Sequence, residues 1–306
     1  NGVPRVAAVP IRVANAPASW GIEDPEDGAN PAFAVLLDQL AAAGYAGTEL
    51  GPLGYLPTDV RELTRELRAR DLELVAGFLF EPLHTRAGID AALERADETC
   101  RLLAEAGAGL LVIIQGFTPE RERAAGRPGA APGLTDDEWR TLIDGVHEVA
   151  RLAAGGHGLV PCFHPHAGTA VEFEPEIERL VRDTDPELVA LCIDSGHCAY
   201  SGVDPVALYR RHAERVAYLH LKDVDRGRLR SALGAALGFE DAVAHGVFCP
   251  LGEGVVDFGA LRAALDGHGF DGWATVEQDR LPSDSTAPGE QAAASLRHLR
   301  SVGLAA

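Results

Sequence analysis

Eight short apolar runs, each followed by a longer amphipathic stretch, leave this chain few folds to choose from. The runs lie at 11–14, 47–50, 74–78, 110–115, 160–164, 190–194, 216–221 and 273–277. Several are continuous rather than alternating, such as LLVII and VALCI, which suits parallel strands covered on both faces. Between them, apolar side chains recur at helical spacing. Phe33, Leu36, Leu37 and Leu40 mark a helix over 31–43; Val60, Leu63 and Leu67 mark one over 58–70, with Thr58 at its start. Further helices are predicted at 91–106, stopped by Gly107, and at 136–154, with shorter ones at 175–181, 205–212 and 258–265 and a closing one at 291–302. Eight strand-then-helix units predict an α/β protein built as a single (β/α)8 TIM-barrel domain over 1–306. The competing open, doubly wound sheet would usually carry a glycine-rich turn after its first strand. Here that turn reads NAPASWG, without G-x-G-x-x-G.

Two insertions, 117–134 and 225–247, leave the C-terminal ends of the fourth and seventh strands. That is the face on which barrel enzymes place their chemistry. The formal charge of −19 and the lack of a long basic run argue against a nucleic-acid surface. No run of 18 uninterrupted apolar residues predicts a membrane span. Residues 1–10 lack the basic-then-apolar layout of a secretory leader. The five cysteines form no C-x-x-C pair, and their odd count favours a reducing, cytoplasmic setting. Nothing in the sequence opposes a homo-oligomer.

The last four strands end in groups that an apolar strand interior does not call for. They finish as PCF-His164-Pro165-His166, ALCI-Asp194-Ser195-Gly196-His197, AYL-His220-Leu221-Lys222-Asp223 and ATV-Glu277-Gln278-Asp279. A lone Asp after a strand is more often a helix cap, and a lone His more often a satisfied polar residue. Four such ends in succession, on staves about 4.8 Å apart, can converge on one point. Imidazole and carboxylate without thiolate suit a divalent ion, with Mn²⁺ or Co²⁺ favoured and Zn²⁺ or Mg²⁺ also fitting. Asp194, His220 and Glu277 are the predicted ligands, with His164 as the fourth. His166 and Glu172 compete for that fourth place, and Cys162 reads as core.

The segments NAPASWGI (15–22), GYAGTELGPLGYLP (44–57), FHPHAGTAVE (163–172), CIDSGHCAY (192–200), HLKDVD (220–225), PLGEGVVDF (250–258) and VEQDR (276–280) occur in one order along nearly the whole chain. In this the chain resembles the xylose-isomerase-like TIM-barrel superfamily of sugar isomerases, epimerases and dehydratases. Within it, the likeness is strongest to the myo-inosose (2-keto-myo-inositol) dehydratases. The resemblance implies a divalent ion at the ends of strands five to eight. In many members the strand-five ligand is a glutamate, whereas here His164 or a neighbour holds that place. Asp194 and His197 match the family's Asp-x-x-His, and Glu49 matches a polar residue that contacts substrate hydroxyls; its bland reading is an ion pair with a neighbouring loop.

The implied substrate is a small polyhydroxylated ketone or sugar. A cation holding its carbonyl and adjacent hydroxyl would stabilise the enediolate formed on proton loss. His166, Glu172 or His197 is placed as the base. Lys222 would polarise an oxygen, or else pair with Asp223 or Asp225. Trp20 would stack on the ring or simply anchor its loop, and Gln115 joins the predicted substrate-binding groups. Loss of a β-hydroxyl from that intermediate makes a dehydratase, and return of the proton makes a ketose isomerase or epimerase. The sequence constrains the intermediate more than its fate.

Overall fold

The computed structural model describes residues 11–281 and 287–306; the stretch 1–10, examined above for a leader, lies outside them. The strands are β1 (Arg12–Asn15), β2 (Gly47–Thr48), β3 (Glu73–Leu74), β4 (Ala76–Glu81), β5 (Leu110–Gln115), β6 (Val160–Phe163), β7 (Ala190–Asp194), β8 (Val216–Leu221), β9 (Asp223–Val224), β10 (Phe248–Cys249) and β11 (Trp273–Val276). Nine of them form one parallel sheet in the order β3-β2-β1-β11-β8-β7-β6-β5-β4. The two ends of that order are one stave interrupted at Val75, whose N–H donates to Thr48 O at 2.9 Å. The sheet therefore closes on itself as eight staves, the TIM barrel expected from the alternation.

Each predicted strand is present, with ends that shift where the ladder gives out. The third is split and runs on to Glu81 rather than stopping at Phe78. The fifth and eighth end one residue early by pairing, but His164 N still donates to Ile113 O at 2.9 Å and Glu277 N to Leu221 O at 3.0 Å. Their side chains are thus held rigidly at the rim.

Helices follow every stave. That after β2 begins at Val60, two residues later than predicted, because Asp59 rather than Thr58 caps it by accepting from Glu62 N. The helix Arg86–Ala106 starts five residues earlier than the periodicity implied, capped by Thr85. Its first turn contains Gly88, a poor helix former, retained because a Cβ there would collide with the Pro82 carbonyl.

Both insertions pack over the barrel mouth. The first carries a short helix, Pro119–Arg123. The second holds two, Arg226–Gly234 and Phe239–Ala244, and extends to Cys249 through the antiparallel β9–β10 pair, which the sequence reading did not contain. Arg121 anchors the first insertion from a buried position. It donates to Thr169 O at 2.6 Å and makes a bidentate pair with Glu176 at 2.7 and 2.9 Å. Arg127 donates to Leu237 O at 2.9 Å, tying the insertions together. No helix among the described residues is long and apolar enough to cross a membrane.

Candidate active site at the barrel mouth

Side chains alternate in and out along a barrel strand, so inward residues recur every second position. In the barrel interior lie Cys162, Cys192 and Tyr218. Two residues further on, the same inward rows present His164, Asp194 and His220, and Glu277 stands in the same relation to Thr275. One more step gives His166 after His164, Lys222 after His220 and Asp279 after Glu277. The strand register thus stacks a ring of imidazole and carboxylate groups directly above a small, packed barrel core.

Donor atoms of the four predicted ligands form a chain of short separations, in which His164, Asp194 and His197 make one group of mutually close donors and Glu49, His220 and Glu277 another. His164 Nε2 lies 3.6 Å from Asp194 Oδ2. His220 Nδ1 lies 3.8 Å from Asp194 Oδ2 and 3.3 Å from Glu277 Oε2. Donor atoms that each sit about 2.1 Å from a shared ion are separated by roughly 3.0–3.5 Å, close to these values. Asp194 uses Oδ1 to accept from Gly196 N and His197 N, at 2.7 and 2.8 Å. It is therefore a helix cap as well, and its other oxygen, Oδ2, is buried without a hydrogen-bond partner. His220 Nδ1 is likewise buried and unpartnered, while its Nε2 is 2.8 Å from Glu49 Oε1. A carboxylate holding the far nitrogen of an imidazole fixes the ring and directs the other lone pair inward, the usual support for a metal-bound His. The donor set and these orphaned atoms fit a divalent cation.

The charges agree. Burial opposes protonation of His220, yet the nearby Cys192, Glu277 and Glu49 raise its affinity for a proton well above the usual value. Burial works against Asp194 too, but Lys222 and His164 hold its carboxyl down to about 2. Glu277, despite burial, is kept well below the ordinary range by Lys222 and His220.

Lys222 is the hub of the next layer. Its ammonium is 2.7 Å from Asp279 Oδ1, 2.9 Å from His197 Nε2 and 3.1 Å from Glu277 Oε2. Although burial penalises its charge, Asp194, Asp279 and Glu277 keep it protonated. The expected alternative, a surface pair with Asp223 or Asp225, does not form. Asp223 is buried and instead accepts from the backbone of Val224, Gly252, Gly254 and Val256 at 2.9–3.0 Å. His166 and His197 stack with centroids 3.7 Å apart. Burial and neighbouring cationic groups push both well below the usual imidazole value. His166 Nδ1 donates to Ala167 O at 2.7 Å, so Nε2 is left as the acceptor of a ring that lines the cavity.

This layer floors a cavity of about 760 Å³. His164, His166, His220, Lys222, Glu277 and Glu49 line it, but five predicted groups, Asp194, His197, Glu172, Trp20 and Gln115, do not. Glu172 is a buried clamp: Oε1 accepts from Gly126 N at 2.6 Å and Ser201 Oγ at 3.0 Å, and burial raises its carboxyl to about 7. It serves the insertion, not the mouth. Trp20 anchors its loop, donating to Gln39 at 2.6 Å beside a separate shallow cleft. Gln115 is buried against His84, 2.7 Å away, and the Gly116 carbonyl. Glu49 reaches across the barrel to Tyr218 Oη, at 2.6 Å, and to His220, so its Oε1 is engaged by protein groups at the cavity floor. Cys162 is fully buried and burial raises its thiol far above the usual value, as expected of core.

Three cavity groups were not singled out from sequence. Asp279 continues the two-residue step from Glu277 and was legible on that basis; burial and Glu277 push it up to about 6. Phe239 comes from the second insertion and packs on both His166 and His197. Glu23 lies on the loop after β1 with no periodic signal. Enclosure by protein, then Asp279 and Glu277, push its carboxyl up to about 8, although the side chain stays open to the cavity.

A family model described as xylose isomerase-like TIM barrel matches residues 37–302. The chain belongs to that family. It is 34% identical over 279 residues to the inosose dehydratase of Salmonella typhimurium, covering 89% of this chain and 90% of that one. It is 37% identical over 283 residues to the rhizopine catabolism protein MocC of Rhizobium meliloti, covering 92% and 85%. Among solved structures, the IolI protein with a bound zinc atom superposes with a TM-score of 0.72 at 14% identity, covering 96% of this chain and 98% of that one. This last likeness establishes fold.

Proposed function

We propose that this family member is a divalent-metal-dependent dehydratase of a cyclic polyhydroxy ketone such as 2-keto-myo-inositol. One observation carries the reading. Near-full-length similarity to inosose dehydratases coincides with a buried ring of donors in which Asp194 Oδ2 and His220 Nδ1 have no hydrogen-bond partner. His164, Asp194, His220 and Glu277 would hold the ion, with Mn²⁺ or Co²⁺ favoured by the imidazole–carboxylate set. When bound, such an ion supplies Lewis acidity for a ketone and its neighbouring hydroxyl.

The chain's own groups divide the remaining work. His166, neutral and with Nε2 free, removes the proton next to the carbonyl. Lys222 cannot serve as that base, because three carboxylates keep it an ammonium; it stabilises negative charge on substrate oxygen instead. His197 accepts from Lys222 and fixes its direction. Glu23 lines the cavity with a carboxyl held above the ordinary range, placed to give a departing β-hydroxyl its proton, while Asp279 remains the carboxylate that holds Lys222. The C–H and C–O bonds break and a C=C bond forms, releasing an enone and water. Phe239, Phe117 and Phe80 shield the imidazoles from solvent.

The test is enone absorbance from 2-keto-myo-inositol before and after chelation. Loss on chelation with recovery on Mn²⁺ or Co²⁺ supports the proposal. Solvent deuterium entering the substrate with no loss of water would instead identify isomerase or epimerase chemistry.

A further inference from the structure

The cavity is unequal in two respects. Its imidazole, ammonium and strand-end carboxylate groups cluster on one side, on the staves that carry His164, His220 and Glu277. The opposing staves, β4 and β5, present Phe78, Phe80 and Ile114 to it, with Phe80 and Ile114 paired, and Glu81 at the end of β4 also lines it. Further out, the apolar arc continues through Phe117, Phe239 and Val243 on the insertions and through Pro25 and Leu53 on the loops after β1 and β2. The second inequality is size. A small cyclitol fills roughly 200 Å³ if each carbon and oxygen takes about half the volume of a liquid water. The cavity holds about 760 Å³. A bare polyol anchored at the donor ring would leave most of that space unused. It would also set outward hydroxyls against Phe78, Phe80, Ile114 and Phe117, side chains with no hydrogen-bonding group.

We infer that this site takes a cyclic hydroxy-ketone carrying an apolar substituent in ether linkage, the ring seated at the imidazole–carboxylate floor and the substituent along the Phe117–Phe239–Leu53 arc. This rests on the ring chemistry proposed above but goes beyond it, because it specifies what is attached to the ring. Preformed apolar pockets with a few convergent polar groups are suited to such amphipathic ligands.

Two paired measurements test it on the full chain. The first is calorimetric binding of myo-inositol against its mono-O-benzyl ether, two unreactive polyols. We expect at least one positional isomer of the ether to bind about tenfold tighter or better, the range for one well-buried apolar group. Leu53→Asp and Val243→Asp should each bring the ratio of the two affinities back towards one. The second is enone formation from 2-keto-myo-inositol and from its O-benzyl ethers. If the bare ketone loses water while no benzyl ether binds more tightly than inositol, the inference is overturned and the dehydratase reading stands. If ethers bind more tightly, the variants abolish that preference, and yet no ketone loses water, the pocket assignment stands and the dehydratase reading fails.

Discussion

Gly196 has a function that no motif announces. A Cβ there would lie 2.5 Å from Lys222 Cγ and 2.6 Å from its Cβ, so the bare backbone is what lets the lysine stem pass towards Asp279. Gly196→Ala should leave the fold intact, since alanine is the better helix former, and lower kcat on the order of 10- to 100-fold by displacing the ammonium. Steady-state kinetics alongside a melting curve separates the two effects. Glu49 predicts a different signature. Glu49→Gln removes the carboxylate that orients His220, and metal affinity by calorimetry should weaken by roughly 10–100-fold. Glu172 carries a pH dependence in stability rather than in rate. Its carboxyl is raised from 4.5 to about 7. The folded state therefore holds a proton that the unfolded chain releases, and stability falls as pH rises between those values. At pH 8, Glu172→Gln should be more stable than the parent by up to about 3 kcal/mol, the difference vanishing near pH 4. Denaturation at both pH values checks it; an unchanged difference would mean that the carboxyl is not protonated in the fold. At this scale the convergence of His164, Asp194, His220 and Glu277 at the mouth was legible, because a charged side chain has no reason to follow an apolar barrel run unless it faces the mouth. Glu172 was misread for a related reason. Sequence proximity to FHPH suggests the mouth, whereas the loop turns it under the first insertion to meet Gly126 and Ser201.

Among the elements, the eight staves and their helices were readable because burial on both faces imposes continuous apolar runs and one-sided burial imposes helical spacing. What escaped were elements stabilised by tertiary contact. The β9–β10 pair is only two residues per strand, and its loop is held by Asp223 accepting four backbone N–H groups. No local pattern encodes that. The early start of Arg86–Ala106 was hidden by Gly88, whose presence answers to Pro82 in space rather than to helix propensity. The insertions were located by composition, but their role as roof depends on buried Arg121. Arg121→Ala leaves Glu176 without its cation and the Thr169 carbonyl without its donor and should cost about 3–5 kcal/mol in stability, with KM rising as the roof loosens. Chemical denaturation and KM together check this. A loss below 1 kcal/mol would contradict the anchoring role.

For the molecule as a whole, barrel closure is what converts separate strand ends into one site. The polar ring lies on consecutive staves, and Glu49 reaches His220 from a stave that is not its neighbour, through the barrel interior. The apolar staves on the other side complete a cavity whose floor is charged and whose walls mix apolar groups such as Phe80 and Leu53 with Glu23, Glu81 and Arg95. The central claim is that Asp194, His220 and Glu277, with a strand-five imidazole, share one divalent ion. Anomalous diffraction from a manganese-soaked crystal tests it most directly. The account predicts one strong peak at about 2.1–2.3 Å from Asp194 Oδ2, His220 Nδ1 and a Glu277 oxygen, absent in Glu277→Gln at the same soak concentration. A saturated soak with no density between those atoms, or an equal peak in the variant, would contradict it.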